Sequence, residues 1–186
     1  TLSSSSAASD VYKRQAHNHW YEWLGHNLIL EGYEVTLFNL EADTPANLDM
    51  WVTQMQHQIN VRKKDTYFVT HGFGTIASLK FIESLNQNIE GLFSIAGFRD
   101  DAQDIDENID LQDVTIDYDT IKNKVDYFYG LCSKSDKHVS YKETKRLMDT
   151  LEGHIRVVEE GGHFMEEDGF TTFTALQDRM QGLMTQ

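Results

Sequence analysis

The amino-acid sequence predicts a doubly wound α/β domain with a mostly parallel sheet, and two observations support this prediction. Strand-like and helix-like segments alternate along the chain, which is typical of β-α-β units. The strand-like runs at 65–71 and 91–98 are apolar without strict alternation, as expected when helices cover both faces of a parallel sheet. The chain has 186 residues, enough for one domain with a core, and no internal repeat or second domain is evident in it.

The elements follow one another in regular order. The predicted helices carry apolar residues at a spacing of about 3.6, and they lie at 17–32, 47–60, 74–86, 140–152 and 170–184. The predicted strands lie at 34–40, 65–71, 91–98, 124–133 and 154–162. An acidic loop is predicted over 99–118, and Pro45 stands just before a helix, where proline is tolerated.

The first fifteen residues differ from the rest. They are serine-rich, lack apolar periodicity and have no hydrophobic core of the kind found in signal peptides. The run DVYKRQ (10–15) matches the translation of a transposase sequencing adaptor. We therefore interpret residues 1–15 as a non-native or disordered leader and residues 16–186 as the domain. A strand should precede the first helix; only SDVYKRQ (9–15) is available for it, so we expect this strand to be missing or replaced.

Composition excludes several kinds of partner. The net charge of −14 argues against binding to nucleic acid or to an anionic membrane. No apolar run approaches the roughly 18 residues of a membrane span. Cys132 is the only cysteine, so no intrachain disulfide can form, and a reducing, cytoplasmic location is expected. The sequence does not predict the oligomeric state.

The most informative segment is the turn Thr70-His71-Gly72-Phe73-Gly74, between a predicted strand and a predicted helix. Such a turn is where one class of hydrolases places its nucleophile, in the pattern Gly-x-Ser-x-Gly. Here Gly72 stands where the serine would be. Two other segments, 132–140 and 159–164, also follow strands, and open α/β sheets bind ligands at those strand ends. They contain Asp136 and His163, in the order nucleophile, acid, histidine, which favours a buried pair in which the carboxylate orients the imidazole.

Six short motifs together resemble the small single-domain α/β-hydrolases, serine hydrolases typified by retinoblastoma-binding protein nine and bacterial YdeN-like proteins. The resemblance covers roughly residues 16–186. It rests on Asn18-His19-Trp20, Thr70–Gly74, Ala96-Gly97-Phe98, Ile116-Asp117-Tyr118, Ser133–Lys137 and Gly161-Gly162-His163-Phe164, the last followed by Asp168-Gly169-Phe170.

The resemblance implies an α/β-hydrolase-like fold and hydrolysis of small carboxyl esters or amides without a cofactor. The triad positions carried over are Gly72, Asp136 and His163, and the oxyanion amide is that of Phe73. Because glycine cannot attack a carbonyl, we expect the chain as written to be inactive or strongly impaired. A non-catalytic binding or regulatory pseudoenzyme is the alternative, and the sequence leaves open whether Gly72 is natural, engineered or an error. Rescue by nearby hydroxyls is disfavoured, because those of Thr70, Thr75 and Ser78 lie before the turn or along the helix.

Two rival ligand predictions are weaker. Gly72–Ala77 fits the dinucleotide pattern Gly-x-Gly-x-x-Ala, but Phe98-Arg99 stands where the acidic residue is required. The run DIDENID (104–110) resembles a calcium loop, but it lacks the required glycine and glutamate. His17 and His19 lack an evident third ligand. We therefore expect neither a cofactor nor a metal.

Overall fold

The computed structural model describes residues 2–7, 20–40, 48–59, 61, 65–107 and 111–184. The strands of this part of the chain are β1 (Leu2–Ala7), β2 (Val35–Leu40), β3 (Tyr67–His71), β4 (Ile89–Ile95), β5 (Val125–Ser133) and β6 (His154–Val158). Its α-helices are α1 (Trp20–Leu30), α2 (Leu48–Gln58), α3 (Gly74–Ser84), α4 (Tyr118–Lys124), α5 (Tyr141–Leu151) and α6 (Thr174–Met184).

The strands form one sheet in the order β2-β1-β3-β4-β5-β6, and all neighbouring pairs are parallel. The carboxyl ends of β3, β5 and β6 therefore point to the same edge of the sheet. The segments that follow these strands are the three in which the sequence places candidate chemistry. The doubly wound, mostly parallel sheet is confirmed.

The sheet separates two apolar cores. Phe68 packs with α2, α3, α4 and α5 on one face, whereas its neighbours Tyr67 and Val69 pack with α1 and α6 on the other. Strand β4 alternates in the same way, with Leu92 in the first core and Phe93 in the second. Burial on both faces explains why these strands are almost continuously apolar.

A strand precedes the first helix at Leu2–Ala7, whereas the sequence analysis expected this strand to be missing or replaced. Strand β1 pairs in parallel with both β2 and β3 and occupies the place between them. Backbone pairing satisfies the peptide groups of a strand whatever its side chains, which is how a serine-rich run can fill this position. The alternative segment 9–15 lies outside the described residues, and the non-native origin of residues 1–15 stays a prediction.

Helix α4 also differs from the sequence prediction, which placed an acidic loop up to residue 118. Asp117 caps this helix, since its carboxylate accepts hydrogen bonds from Thr120 N at 3.0 Å and Thr120 Oγ1 at 2.7 Å. The helix has only seven residues, too few to produce a clear apolar period. Within the described ranges, no helix has both the length and the apolar character needed to cross a membrane.

Candidate active site

The turn after β3 has the backbone geometry of a sharp strand-to-helix elbow. Gly72 follows His71 directly and has a φ of +53°, in the left-handed region, and α3 begins two residues later. Gly72 N donates to Ile95 O at 2.9 Å, and Gly72 O accepts from Thr75 N at 3.1 Å, so both neighbouring elements hold the turn. A left-handed residue with a Cβ costs roughly 1–2 kcal/mol, which glycine avoids.

A buried network of hydroxyl groups lies beneath the elbow. Thr75 Oγ1 is 2.9 Å from Thr70 Oγ1 and 3.0 Å from Ser94 Oγ, and Thr70 Oγ1 also donates to Phe93 O at 3.3 Å. All three hydroxyl residues are fully buried. The hydroxyls of Thr70 and Thr75, considered above as substitutes for the missing serine, are therefore engaged with each other.

Asp136 and His163 form a buried acid–histidine pair. His163 Nδ1 lies 2.8 Å from Asp136 Oδ2, and the two side chains are 3% and 0% exposed. The second carboxylate oxygen, Oδ1, accepts hydrogen bonds from the backbone nitrogens of His138 at 2.8 Å and Val139 at 3.0 Å. Because a carboxylate only accepts, the proton of a neutral His163 sits on Nδ1 and Nε2 carries the lone pair. This is the tautomer that a general base requires.

Two polar groups, one in this pair and one at the elbow, have no hydrogen-bond partner in the described part of the chain. His163 Nε2 is buried, and it makes no hydrogen bond with any residue in the described part of the chain. The backbone N–H of Phe73, at the start of α3, also donates to none of the described residues. These are the atoms that would face a nucleophile and an oxyanion, respectively. The loop after β1, which would supply a second oxyanion amide, lies outside the described residues.

Two side chains that the sequence analysis did not assign hold the loop that carries His163. Ser135 Oγ accepts hydrogen bonds from Gly161 N at 3.1 Å and Gly162 N at 3.0 Å. Asp168 Oδ2 accepts from His163 N at 2.8 Å and from Met165 N at 3.2 Å. Both residues lie in segments that carry the family resemblance, which is the only signal that could have indicated them.

His71 connects the elbow to the same loop. Its Nε2 donates to the carbonyl oxygen of His163 at 2.7 Å, and the Tyr21 hydroxyl bonds to its Nδ1. Since a carbonyl cannot donate, the ring proton lies on Nε2 and the Tyr21 hydroxyl is the donor to Nδ1. Burial raises the pKa of Tyr21, which keeps this hydroxyl protonated. The bond from His71 brings the residue before Gly72 into direct contact with His163.

In the part of the chain that the structure describes, neither rival ligand prediction gains a binding group. The segment after β4, where a dinucleotide site needs a carboxylate, is the buried Ala96-Gly97-Phe98. Among the described residues, no cluster of three or more His, Cys, Asp or Glu side chains could hold a metal ion. His17, His19 and residues 108–110 lie outside the described part of the chain.

A parallel sheet with an elbow after β3, an acid after β5 and a histidine after β6 defines an α/β-hydrolase. The chain belongs to the serine hydrolase family, whose model matches residues 11–182. It is similar to the YdeN protein of Bacillus subtilis (strain 168), with 25% identity over 169 residues that span 90% of this chain and 89% of YdeN.

Solved structures agree on the fold. The crystal structure of the B. subtilis ydeN gene product matches with a TM-score of 0.80 and 24% identity, covering 100% of this chain and 99% of the other. A YdeN-like protein of Pectobacterium atrosepticum matches with a TM-score of 0.70 and 16% identity, covering 99% and 91%. Est1E of Butyrivibrio proteoclasticus matches with a TM-score of 0.68 and 11% identity, covering 100% and 88%. The family resemblance drawn from the sequence is confirmed.

Proposed function

We propose that this chain is built to bind and hydrolyse small carboxyl esters or amides, and that Gly72 removes its covalent step. The observation that carries this proposal is the buried Asp136–His163 pair, next to an elbow without a nucleophile. His163 Nε2 has no hydrogen-bond partner among the described residues. In a complete triad, serine attacks the carbonyl, histidine takes its proton and aspartate orients the imidazole. The last two roles are retained here, and the first has no atom to perform it.

Under this proposal, the protein as it stands is strongly impaired in forming an acyl-enzyme. The Phe73 amide supports stabilisation of an oxyanion, and the acid–histidine pair supports proton transfer. Both depend on a substrate carbonyl held at the elbow, so the ligand we propose is a small ester or amide. The single cysteine, Cys132, is free and buried. It is compatible with the cytoplasmic location that we propose for this function.

A fluorophosphonate probe, which reacts with activated serines, tests the proposal. We expect no labelling of the wild-type protein, labelling of Gly72→Ser, and loss of that labelling when His163→Ala is added. Gly32→Ser is a matched control, because Gly32 also has a positive φ, +93°, but is exposed and has no atom within 4 Å of an added Cβ. Labelling of the wild-type protein at the elbow would show that Gly72 does not remove covalent chemistry.

A binding or regulatory pseudoenzyme is the second candidate, and the conformation of Gly72 favours it. Glycine fits the left-handed φ of the elbow without strain, so the substitution suits a protein that keeps the cleft but not the reaction. The Gly72→Ser variant separates the two candidates. If that variant folds but is not labelled, the rest of the cleft has diverged from catalysis and the binding role is favoured.

A further inference from the structure

We propose that His163 and Asp136, without a serine, activate a water molecule that hydrolyses activated carboxyl esters directly, with no acyl-enzyme. This inference rests on the proposed function, because it needs an ester carbonyl at the elbow. It gives the wild-type chain an activity of its own, with a mechanism different from that of its family.

The base required for this reaction is already assembled. The bond of 2.8 Å between His163 Nδ1 and Asp136 Oδ2 fixes the imidazole and leaves the lone pair on Nε2. His163 is only 3% exposed, and Nε2 has no hydrogen-bond partner in the described part of the chain. A buried polar atom in this state is unusual in a native protein, and it favours the entry of a small hydrogen-bond donor.

The surroundings of His163 favour water as that donor. Glycine has no side-chain heavy atom, so position 72 supplies no hydroxyl that could compete for the lone pair. The nearby hydroxyls of Thr70, Thr75 and Ser94 bond to one another beneath the elbow instead. The Phe73 amide makes no hydrogen bond to the described residues and can donate to the oxygen that becomes negative.

The reaction balances without any further reagent. As the water oxygen attacks the ester carbon, Nε2 of His163 takes one water proton and the carbonyl oxygen becomes an oxyanion near Phe73 N–H. When the intermediate collapses, the bond to the leaving alkoxide or phenoxide breaks and the proton on Nε2 passes to that oxygen. The products are the free carboxylic acid and the alcohol, and the enzyme returns to its starting state. Asp136 stabilises the imidazolium throughout.

Hydrolysis of p-nitrophenyl acetate by the purified protein tests this inference. We expect slow turnover without an initial burst of p-nitrophenol. We also expect no acetyl adduct that forms and disappears at the rate of turnover in the intact mass of acid-quenched samples. His163→Gln should lower kcat/KM about 10²–10⁴-fold, the range of general-base catalysis. His57→Gln, on the exposed side of α2, is the matched control and should leave the rate unchanged.

Each outcome decides one question. An initial burst of p-nitrophenol, or an acetyl group on the wild-type protein that is released again at the rate of turnover, would overturn the inference, because each is the mark of an acyl-enzyme. Activity that persists in His163→Gln would overturn it as well. If His163→Gln does not fold, the burst and adduct measurements on the wild-type protein still decide. If Gly72→Ser is labelled by the fluorophosphonate while the wild-type protein shows no hydrolysis, the inference fails and the proposed function stands. If Gly72→Ser folds but is not labelled, the proposed function fails, and the inference that rests on it fails as well.

Discussion

Replacing Gly162 with alanine should destabilise the loop that carries His163. Gly162 has a φ of +52°, and an added Cβ would lie 2.5 Å from Asp168 Oδ2 and closer still to Cγ and Oδ1. Ordinary carbon contacts are about 3.5–4 Å, so the carboxylate must move. Moving it breaks the hydrogen bonds that Asp168 accepts from His163 N and Met165 N.

The loss can be compared with that of a matched glycine in the same loop. Gly169 also has a left-handed φ, +91°, but no atom lies within 4 Å of its added Cβ. Gly169→Ala should therefore cost only the backbone strain, roughly 1–2 kcal/mol. Gly162→Ala adds the loss of two hydrogen bonds to a solvent-exposed carboxylate, each about 1.5 kcal/mol, and should cost about 4–5 kcal/mol.

Urea unfolding of the two variants measures this difference directly. We expect the free energy of unfolding of Gly162→Ala to be about 3 kcal/mol below that of Gly169→Ala. The corresponding difference in Tm is about 6–12 °C for a chain of this length. If the two variants unfold within about 1 kcal/mol of each other, then Asp168 does not hold the loop in the way described.

Three further predictions concern the site and its surroundings. Gly97→Ala should lower the free energy of unfolding in urea by about 1–3 kcal/mol, because its Cβ would lie 3.0 Å from Thr75 Cβ and closer still to Ser94 Oγ. Adding Ser94→Ala should recover part of this loss, and no recovery would contradict the contact with Ser94. Ser135→Ala removes the acceptor of two loop amides, and it should lower the free energy of unfolding by about 1–2 kcal/mol and speed hydrogen exchange of those amides. Burial raises the pKa of Cys132 from 9.0 to about 12, so native protein should resist iodoacetamide at pH values where unfolded protein reacts. Because the folded-state pKa of Cys132 is the higher one, its contribution to stability is complete below pH 9 and is lost as the pH rises towards 12.

The fold was largely predictable because its main elements carry regular apolar patterns. Helix α3 and strand β3, for example, begin or end within two residues of the predicted boundaries. Strand β1 was not predictable, since Leu2–Ala7 contains four serines and no β-branched or aromatic residue, and only its pairing with two neighbours makes it a strand. Helix α4 is too short to show a period and is marked only by its cap at Asp117.

The principal residues of the candidate site could be predicted from the sequence, but the residues that hold them in place could not. Asp136 and His163 each follow a strand and belong to a familiar motif, so their positions in the sequence indicate their roles. Ser135 and Asp168 act through bonds to backbone N–H groups. Such bonds depend on the path of a loop rather than on any residue pattern, so only the folded structure reveals them.

Left-handed backbone occurs at four residues of the candidate site, and this distribution bears on the interpretation of Gly72. One of the four is Gly162, in the loop that carries His163. Besides Gly72, the non-glycine residues Ala96, after β4, and Phe164, directly after His163, have φ values of +48° and +57°. Conformations of this kind cost roughly 1–3 kcal/mol each and persist only where the surrounding structure enforces them. The chain therefore keeps strained backbone on either side of an elbow that has no nucleophile. A site that retains this geometry lacks only a hydroxymethyl side chain at position 72, so Gly72→Ser alone should produce covalent labelling by the fluorophosphonate, without substitutions at Ala96 or Phe164.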